Sequence, residues 1–286
     1  MTYMHEHLRV DLSKEKGDRD CLLDDFDAIG QELIGLAKRG LRRIVDVSCR
    51  GMGRDYDYLE RMERFTGLTI LISTGFYKEP FLPKEALEAD EKTLTALFIS
   101  DIRNGCESSN RRAALIGEIG TSLGVMTPAE AKIFRAAAGA CRETGVPLST
   151  HTTLGTLGFE QVRFLKQLGV DPSRIIIGHL DLADDLDLIF RVLDEGAYVE
   201  FDTIGKITYL SDEKRAAFIQ ACCNKGYSRQ MLLSMDITRL SHLAVNGGPG
   251  YAYLVDSFLP RLRVLGVSEE AISDMLERNP DVLLGV

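Results

Sequence analysis

Eight short apolar runs, each separated from the next by a longer amphipathic segment, restrict the fold of this chain more than any other feature. They lie at 2–7, 42–48, 68–75, 113–120, 146–152, 174–180, 197–203 and 230–236. The runs are nearly continuous in Val, Ile and Leu instead of alternating apolar with polar, the pattern of parallel strands covered on both faces. Helices are expected near 24–39, 55–65, 84–103, 128–144, 156–168, 184–195 and 212–225, with a last pair near 251–263 and 268–278. Parallel strands need crossover connections, so eight strand–helix units in 286 residues predict an α/β fold, a (β/α)8 TIM barrel. An open doubly wound sheet is the runner-up, although the chain has neither a Rossmann glycine fingerprint nor a G-x-x-x-x-G-K phosphate loop.

The joints carry the punctuation this scheme needs. Thr127-Pro128 followed by Glu130 reads as an N-cap, an N1 proline and an acidic first turn. Gly40, Gly145, Gly169, Gly196 and Gly226 each follow a helical stretch, where a left-handed C-cap is wanted. Asp181 to Asp187 places acids at the start of another helix. No linker or composition break interrupts 1–286, so one domain is expected. The six cysteines form no C-x-x-C pair and read as reduced, buried thiols.

Charge narrows the partners. With 34 Lys and Arg against 43 Asp and Glu, the formal charge is −9, which disfavours nonspecific binding to nucleic acid or to an anionic membrane. No apolar run reaches the length of a membrane span, and the start, MTYMHEHLRVDLS, has no apolar core of a signal peptide. A cytoplasmic protein with a small-molecule substrate is expected. Only four residues precede His5, so either the start is shortened or the first strand is stunted.

The histidines carry the chemistry. There are five, and four of them (His5, His7, His151 and His179) fall at the C-terminal ends of proposed strands 1, 5 and 6. Glu118 holds the same place on strand 4, and Asp236 ends strand 8. Barrel active sites form at those ends. His5 and His7 are two apart on an extended strand and share a face. Imidazole and carboxylate donors suit zinc or a similar divalent ion. Six donors fit two ions: His5, His7 and Asp236 for the first, His151 and His179 for the second, and Glu118 as a bridge. Two divalent ions bring four positive charges. Glu118, Asp236 and a bridging hydroxide remove three, and the remaining one favours an anionic transition state.

With these residues in place, the chain resembles the phosphotriesterase homology proteins of the amidohydrolase superfamily. The resemblance rests on HEH (5–7), STGFY (73–77), GEIGTS (117–122), STHT (149–152), GHLD (178–181), FDTIGK (201–206), SMDITR (234–239) and ERNP (277–280), and it spans essentially the whole chain in order. It implies a binuclear site, usually of zinc, with manganese the alternative. His5, His7 and Asp236 would bind the buried ion, and His151 and His179 the more exposed one. Phosphotriesterases proper bridge their ions with a carboxylated lysine on strand 4, where this chain has Glu118. That substitution argues against organophosphate triesters as its substrates. Barrels of this superfamily are often dimers, so a homodimer is expected by analogy.

The expected activity is hydrolysis of an ester-type bond by a metal-bridging hydroxide, with Asp236 accepting its proton. Tyr77 and Lys78 follow strand 3, Lys206 and Tyr209 follow strand 7, and Arg239 and His242 follow strand 8. Together they predict a basic, aromatic rim. Tyr77, Lys206 and Arg239 are the expected contacts to an anionic ester or lactone, such as a sugar lactone phosphate. The stretch 237–250 is a candidate lid. Asp181 is expected to orient a ligand histidine or start the next helix, and Asp202 to support a ligand from behind or hold a loop. The alternatives are a TatD-type metal-dependent deoxyribonuclease or phosphodiesterase and a metal-binding barrel without activity.

Overall fold

All eight apolar runs form strands in the computed structural model, which describes residues 1–107 and 109–286. They are β1 (Thr2–Glu6), β2 (Arg43–Asp46), β3 (Thr69–Thr74), β4 (Ala113–Thr121), β5 (Leu148–Thr152), β6 (Ile175–Gly178), β7 (Tyr198–Phe201) and β8 (Met231–Leu233). The strands stand in one sheet in chain order. Register is parallel, for example Tyr3 beside Ile44 and Thr150 beside Ile177. Strand followed by helix, repeated with parallel neighbours, is the (β/α)8 barrel. β1 has five residues, all buried, and so is not stunted.

The helices named here are α1 (Phe26–Lys38), α2 (Tyr56–Thr66), α3 (Glu91–Arg103), α4 (Pro128–Thr144), α5 (Gly158–Gln167), α6 (Leu186–Asp194) and α7 (Asp212–Asn224). The boundaries of α4 follow directly from its sequence. Thr127 accepts from the Glu130 N–H (3.2 Å), Glu130 accepts from the Thr127 N–H (2.9 Å), and Pro128 fills N1. Gly145 ends the helix at φ 73°, a conformation costly for any residue with a Cβ. The expected helix at 84–103 is two, Lys84–Glu88 and α3. Ala89 is extended, and the Asp90 carboxylate caps α3 by accepting from the Thr93 N–H at 2.7 Å. Near the C-terminus, wide π turns at Leu254–Phe258 and Asp274–Arg278 run into Leu259–Val264 and Asn279–Leu284. Pro260 and Pro280 stand just beyond those turns. Each lacks an N–H and crowds the carbonyl four residues back, which favours the wider turn.

Contacts sort the chain into two units. The first comprises Met1–Asp46, Gly53–Leu71 and Phe201–Asp281. Its core includes Ile29, Leu33, Leu36, Ile44, Val45, Leu59 and Met62. α1 turns its buried face, Ile29, Gly30, Leu33 and Leu36, inward and packs on α2. The second comprises Val47–Met52, Ile72–Glu200 and Val282–Val286. Here α3 packs on α4, and Phe98, Ile133, Phe134, Leu148 and Ile176 are buried. Each such side chain taken from water contributes about 1.5–3 kcal/mol. All six cysteines are free thiols, five of them buried. No helix among the described residues is long and apolar enough to cross a membrane.

Candidate metal centre

In the first unit, His5 and His7 sit on or just beyond β1, and Asp236 lies three residues past β8. Alternation along an extended segment brings both imidazoles to one face, with ring centroids 5.9 Å apart. Asp236 Oδ1 lies 3.3 Å from His7 Nε2 and 3.8 Å from His5 Nε2. The other ring nitrogen of His5, Nδ1, lies 3.5 Å from Asp202 Oδ2, both side chains being fully buried. Asp202 therefore orients a histidine, one of the roles expected for it. Asp236 adopts φ 50°, left-handed for a residue with a side chain.

The second unit holds a matching group. Glu118 Oε2 lies 3.1 Å from His151 Nδ1 and 3.6 Å from His179 Nε2. One ligand atom from each of these three residues lies within 4.8 Å of the other two. His179, just past β6, is also left-handed at φ 57°. The His151–His179 ring pair is edge-to-face at 4.6 Å. Burial pushes the His151 pKa down to about 4 against the opposing hydrogen bond from Glu118. The ring is therefore neutral at pH 7, with a lone pair to offer. Gln161 on α5 donates to the His151 carbonyl at 3.0 Å and to Thr121 Oγ1 at 2.8 Å, and Cys49 Sγ donates to the Glu118 carbonyl at 3.2 Å. Asp181 is buried in the turn Leu180–Ala183.

The residues expected on the rim divide. Tyr77 packs edge-to-face on His151 at 4.8 Å with its hydroxyl 3.2 Å from both ring nitrogens, so it is in reach of the second group. Lys78 Nζ lies 5.6 Å from the Tyr77 ring centre. Lys206 is buried, not solvated on the rim, and donates to Asp236 Oδ2. Arg239 donates to Asp18 Oδ2 at 2.8 Å and to Asp20 Oδ2 at 3.4 Å. Tyr209 is exposed. His242 accepts from the Thr238 N–H at 3.3 Å, and burial lowers its pKa to about 4. The stretch 237–250 is tied down rather than loose. Asp20 accepts from Ser241 N (2.7 Å) and Oγ (2.6 Å), and Glu32 accepts from the N–H groups of Ala244 (2.7 Å) and Tyr251 (2.9 Å).

Several supporting residues were missed by sequence reasoning. Glu130, read only as a helix start, also accepts from Glu79 N (3.2 Å), Ser122 N (3.2 Å) and Ser122 Oγ (2.6 Å), and so fixes the loops after β3 and β4. Glu6 is buried between the two histidines of β1. Its signal was available: an acid inside an apolar strand must find donors.

Both groups fit divalent ions. Each combines two imidazoles with a carboxylate, a borderline N/O donor set suited to zinc. Each also has a partner orienting one member: Asp202 on His5, Tyr77 on His151.

The chain is similar to known proteins along its whole length. The family model described as "Phosphotriesterase family" matches residues 1–284. The phosphotriesterase homology protein of Escherichia coli K12 is 44% identical over 279 residues, 98% of this chain and 96% of that protein. Its crystal structure, with phosphate in the active site, superposes with a TM-score of 0.96 and covers 99% of this chain and 98% of that one. An aryldialkylphosphatase of Saccharolobus solfataricus is 31% identical, covering 98% and 93% of the two chains. A lactonase of Listeria monocytogenes superposes with a TM-score of 0.92 at 28% identity, covering 98% and 92%.

Proposed function

The chain belongs to the phosphotriesterase family and is a hydrolase, and from that premise we propose that it cleaves an ester-type bond in a small anionic substrate, a sugar lactone or sugar lactone phosphate. The observation carrying this reading is the pair of carboxylate–histidine groups, His5, His7 and Asp236 in one unit and Glu118, His151 and His179 in the other. In this reading His5, His7, Asp236, Glu118, His151 and His179 would hold two divalent ions, zinc or alternatively manganese. Bound ions would polarise the scissile carbonyl or phosphoryl group and make a water nucleophilic near neutral pH.

The chain's own residues then have separate tasks. Asp236 divides its oxygens: Oδ1 faces the histidines of β1, and Oδ2 takes a hydrogen bond from Lys206. That division holds the carboxylate in one orientation, and Asp236 is the group that accepts the proton of the attacking water. Tyr77, against His151, presents an aromatic face and a hydroxyl to the substrate. Lys206 and Arg239 supply the positive charge for an anionic substrate, in competition with Asp236 and with Asp18 and Asp20. The phosphate bound by the Escherichia coli relative and the activity named for the Listeria relative support an anionic lactone. The family assignment displaces the nuclease alternative. A cytoplasmic location and a homodimer complete the proposal, the first from composition and the second by analogy.

The test is to strip the protein of metal, reload it with zinc and then manganese, and follow proton release across γ-lactones with and without a terminal phosphate. Asp236→Asn is the blank. Turnover of the phosphorylated set supports the reading. Two bound metals with no turnover of lactones, phosphodiesters or amides would favour the inactive barrel.

A further inference from the structure

We infer that Glu6, the residue between the two histidines of β1, is a positioning residue for Asp236. The inference rests on the metal-binding reading above for what Asp236 holds, and on the backbone geometry for how it is held.

Alternation turns Glu6 away from the face shared by His5 and His7, and its side chain is buried. Glu6 Oε1 accepts from the Met235 N–H at 2.6 Å, and Oε2 accepts from the Ile237 N–H at 3.2 Å. Those are the residues immediately before and after Asp236. One carboxylate thus grips the backbone on both sides of a residue held at φ 50°. A left-handed aspartate is disfavoured by about 1 kcal/mol or more and persists only where its surroundings fix it. Rotating Asp236 to an ordinary φ would draw at least one of these N–H groups away from Glu6. It would also swing Oδ1 away from His7 and His5.

The stitch is reciprocal. Ser234 Oγ, two residues before Asp236, accepts from the N–H groups of Met4 and His5, both at 3.0 Å. β1 therefore fixes the backbone that carries Asp236, and the end of β8 fixes the backbone that carries His5. Glutamate suits the position because its two oxygens can accept two separate N–H groups. A glutamine there keeps one acceptor and turns an N–H₂ toward the second donor.

The experiment compares Glu6→Gln with wild type and with Tyr3→Phe. Tyr3, on the same strand as Glu6, donates from its hydroxyl to the Tyr251 carbonyl at 3.3 Å, and Tyr3→Phe removes that bond without touching Asp236. Zinc affinity is measured on stripped protein against a chromophoric chelator, beside thermal unfolding of the metal-free forms. Glu6→Gln is expected to weaken the ion held by His5, His7 and Asp236 about 10- to 100-fold and to leave the ion held by His151 and His179 unchanged. Tyr3→Phe should lower thermal stability without changing either affinity. If Glu6→Gln fails to fold, Glu6→Asp, which keeps both oxygens on a shorter arm, should fold and show the same selective weakening. Unchanged affinities in a folded Glu6 variant, or equal loss at both sites, overturn the inference. A wild type that binds no zinc overturns the metal reading and this inference with it.

Discussion

The two ligand groups are chemically alike but differently supported. The first, His5, His7 and Asp236, is held by side chains that accept backbone N–H groups: Ser234 from Met4 and His5, and Glu6 from the residues flanking Asp236. Both of its histidine side chains are wholly buried. In the second, Glu118, His151 and His179, Gln161 and Cys49 donate to the carbonyls of His151 and Glu118, Tyr77 packs on the His151 ring, and the His151 side chain keeps 14% of its surface in solvent. In the proposed reading the fully enclosed first group would be the rigid holder of an ion, and the second, partly open to solvent, the place where ligands exchange.

The largest test of that division is Asp236→Asn. It removes the proton acceptor and one charge from the rigid group, and turnover should fall about a hundred- to ten-thousand-fold. Metal analysis should still find the ion of the second group. Retention of full activity would end the assignment of a proton to Asp236.

A smaller effect is expected at Arg239. Its guanidinium lies against Asp18 and Asp20, and Asp20 also anchors the loop after β8 through Ser241. Asp18→Asn should lower KM for a phosphorylated lactone about two- to fivefold, the scale of a partly exposed ion pair. kcat, and KM for the neutral lactone, should not change. Equal changes for both substrates would mean that Arg239 braces the loop and does not meet the anion.

The smallest effect is on stability against pH. His151 and His242 titrate near 4 in the fold because of burial, against about 6.5 in the unfolded chain. The unfolded chain holds more protons between those values, so this contribution is present above pH 6.5 and is lost as pH falls toward 4. The metal-free protein should therefore be less stable at pH 5 than at pH 7 in urea titrations.

The strands and the residues of the two carboxylate–histidine groups were legible in the sequence, because both depend on local pattern. Apolar runs mark the strands, and a ligand-type residue at the end of such a run stands out. Thr127, Pro128 and Glu130 likewise gave the start of α4 to the residue. What was not legible depends on distant partners. Lys206 and Arg239 read as cations of a substrate-binding rim, and nothing local in the sequence marks Asp236, Asp18 and Asp20 as the partners beside them. The break before α3 turns on whether Asp90 caps or continues a helix, and the composition of 84–103 allows either. Glu6 was hidden by its neighbours, since a motif that draws the eye to two histidines draws it away from the acid between them.

The measurement that bears most directly on the central claim is zinc release from the reloaded protein into excess chelator, followed in wild type, His7→Ala and His151→Ala. Two unequal groups predict about two equivalents leaving wild type in two phases, with the slow phase missing in His7→Ala and the fast phase missing in His151→Ala. A single phase, fewer than two equivalents, or loss of the same phase in both variants would contradict the account.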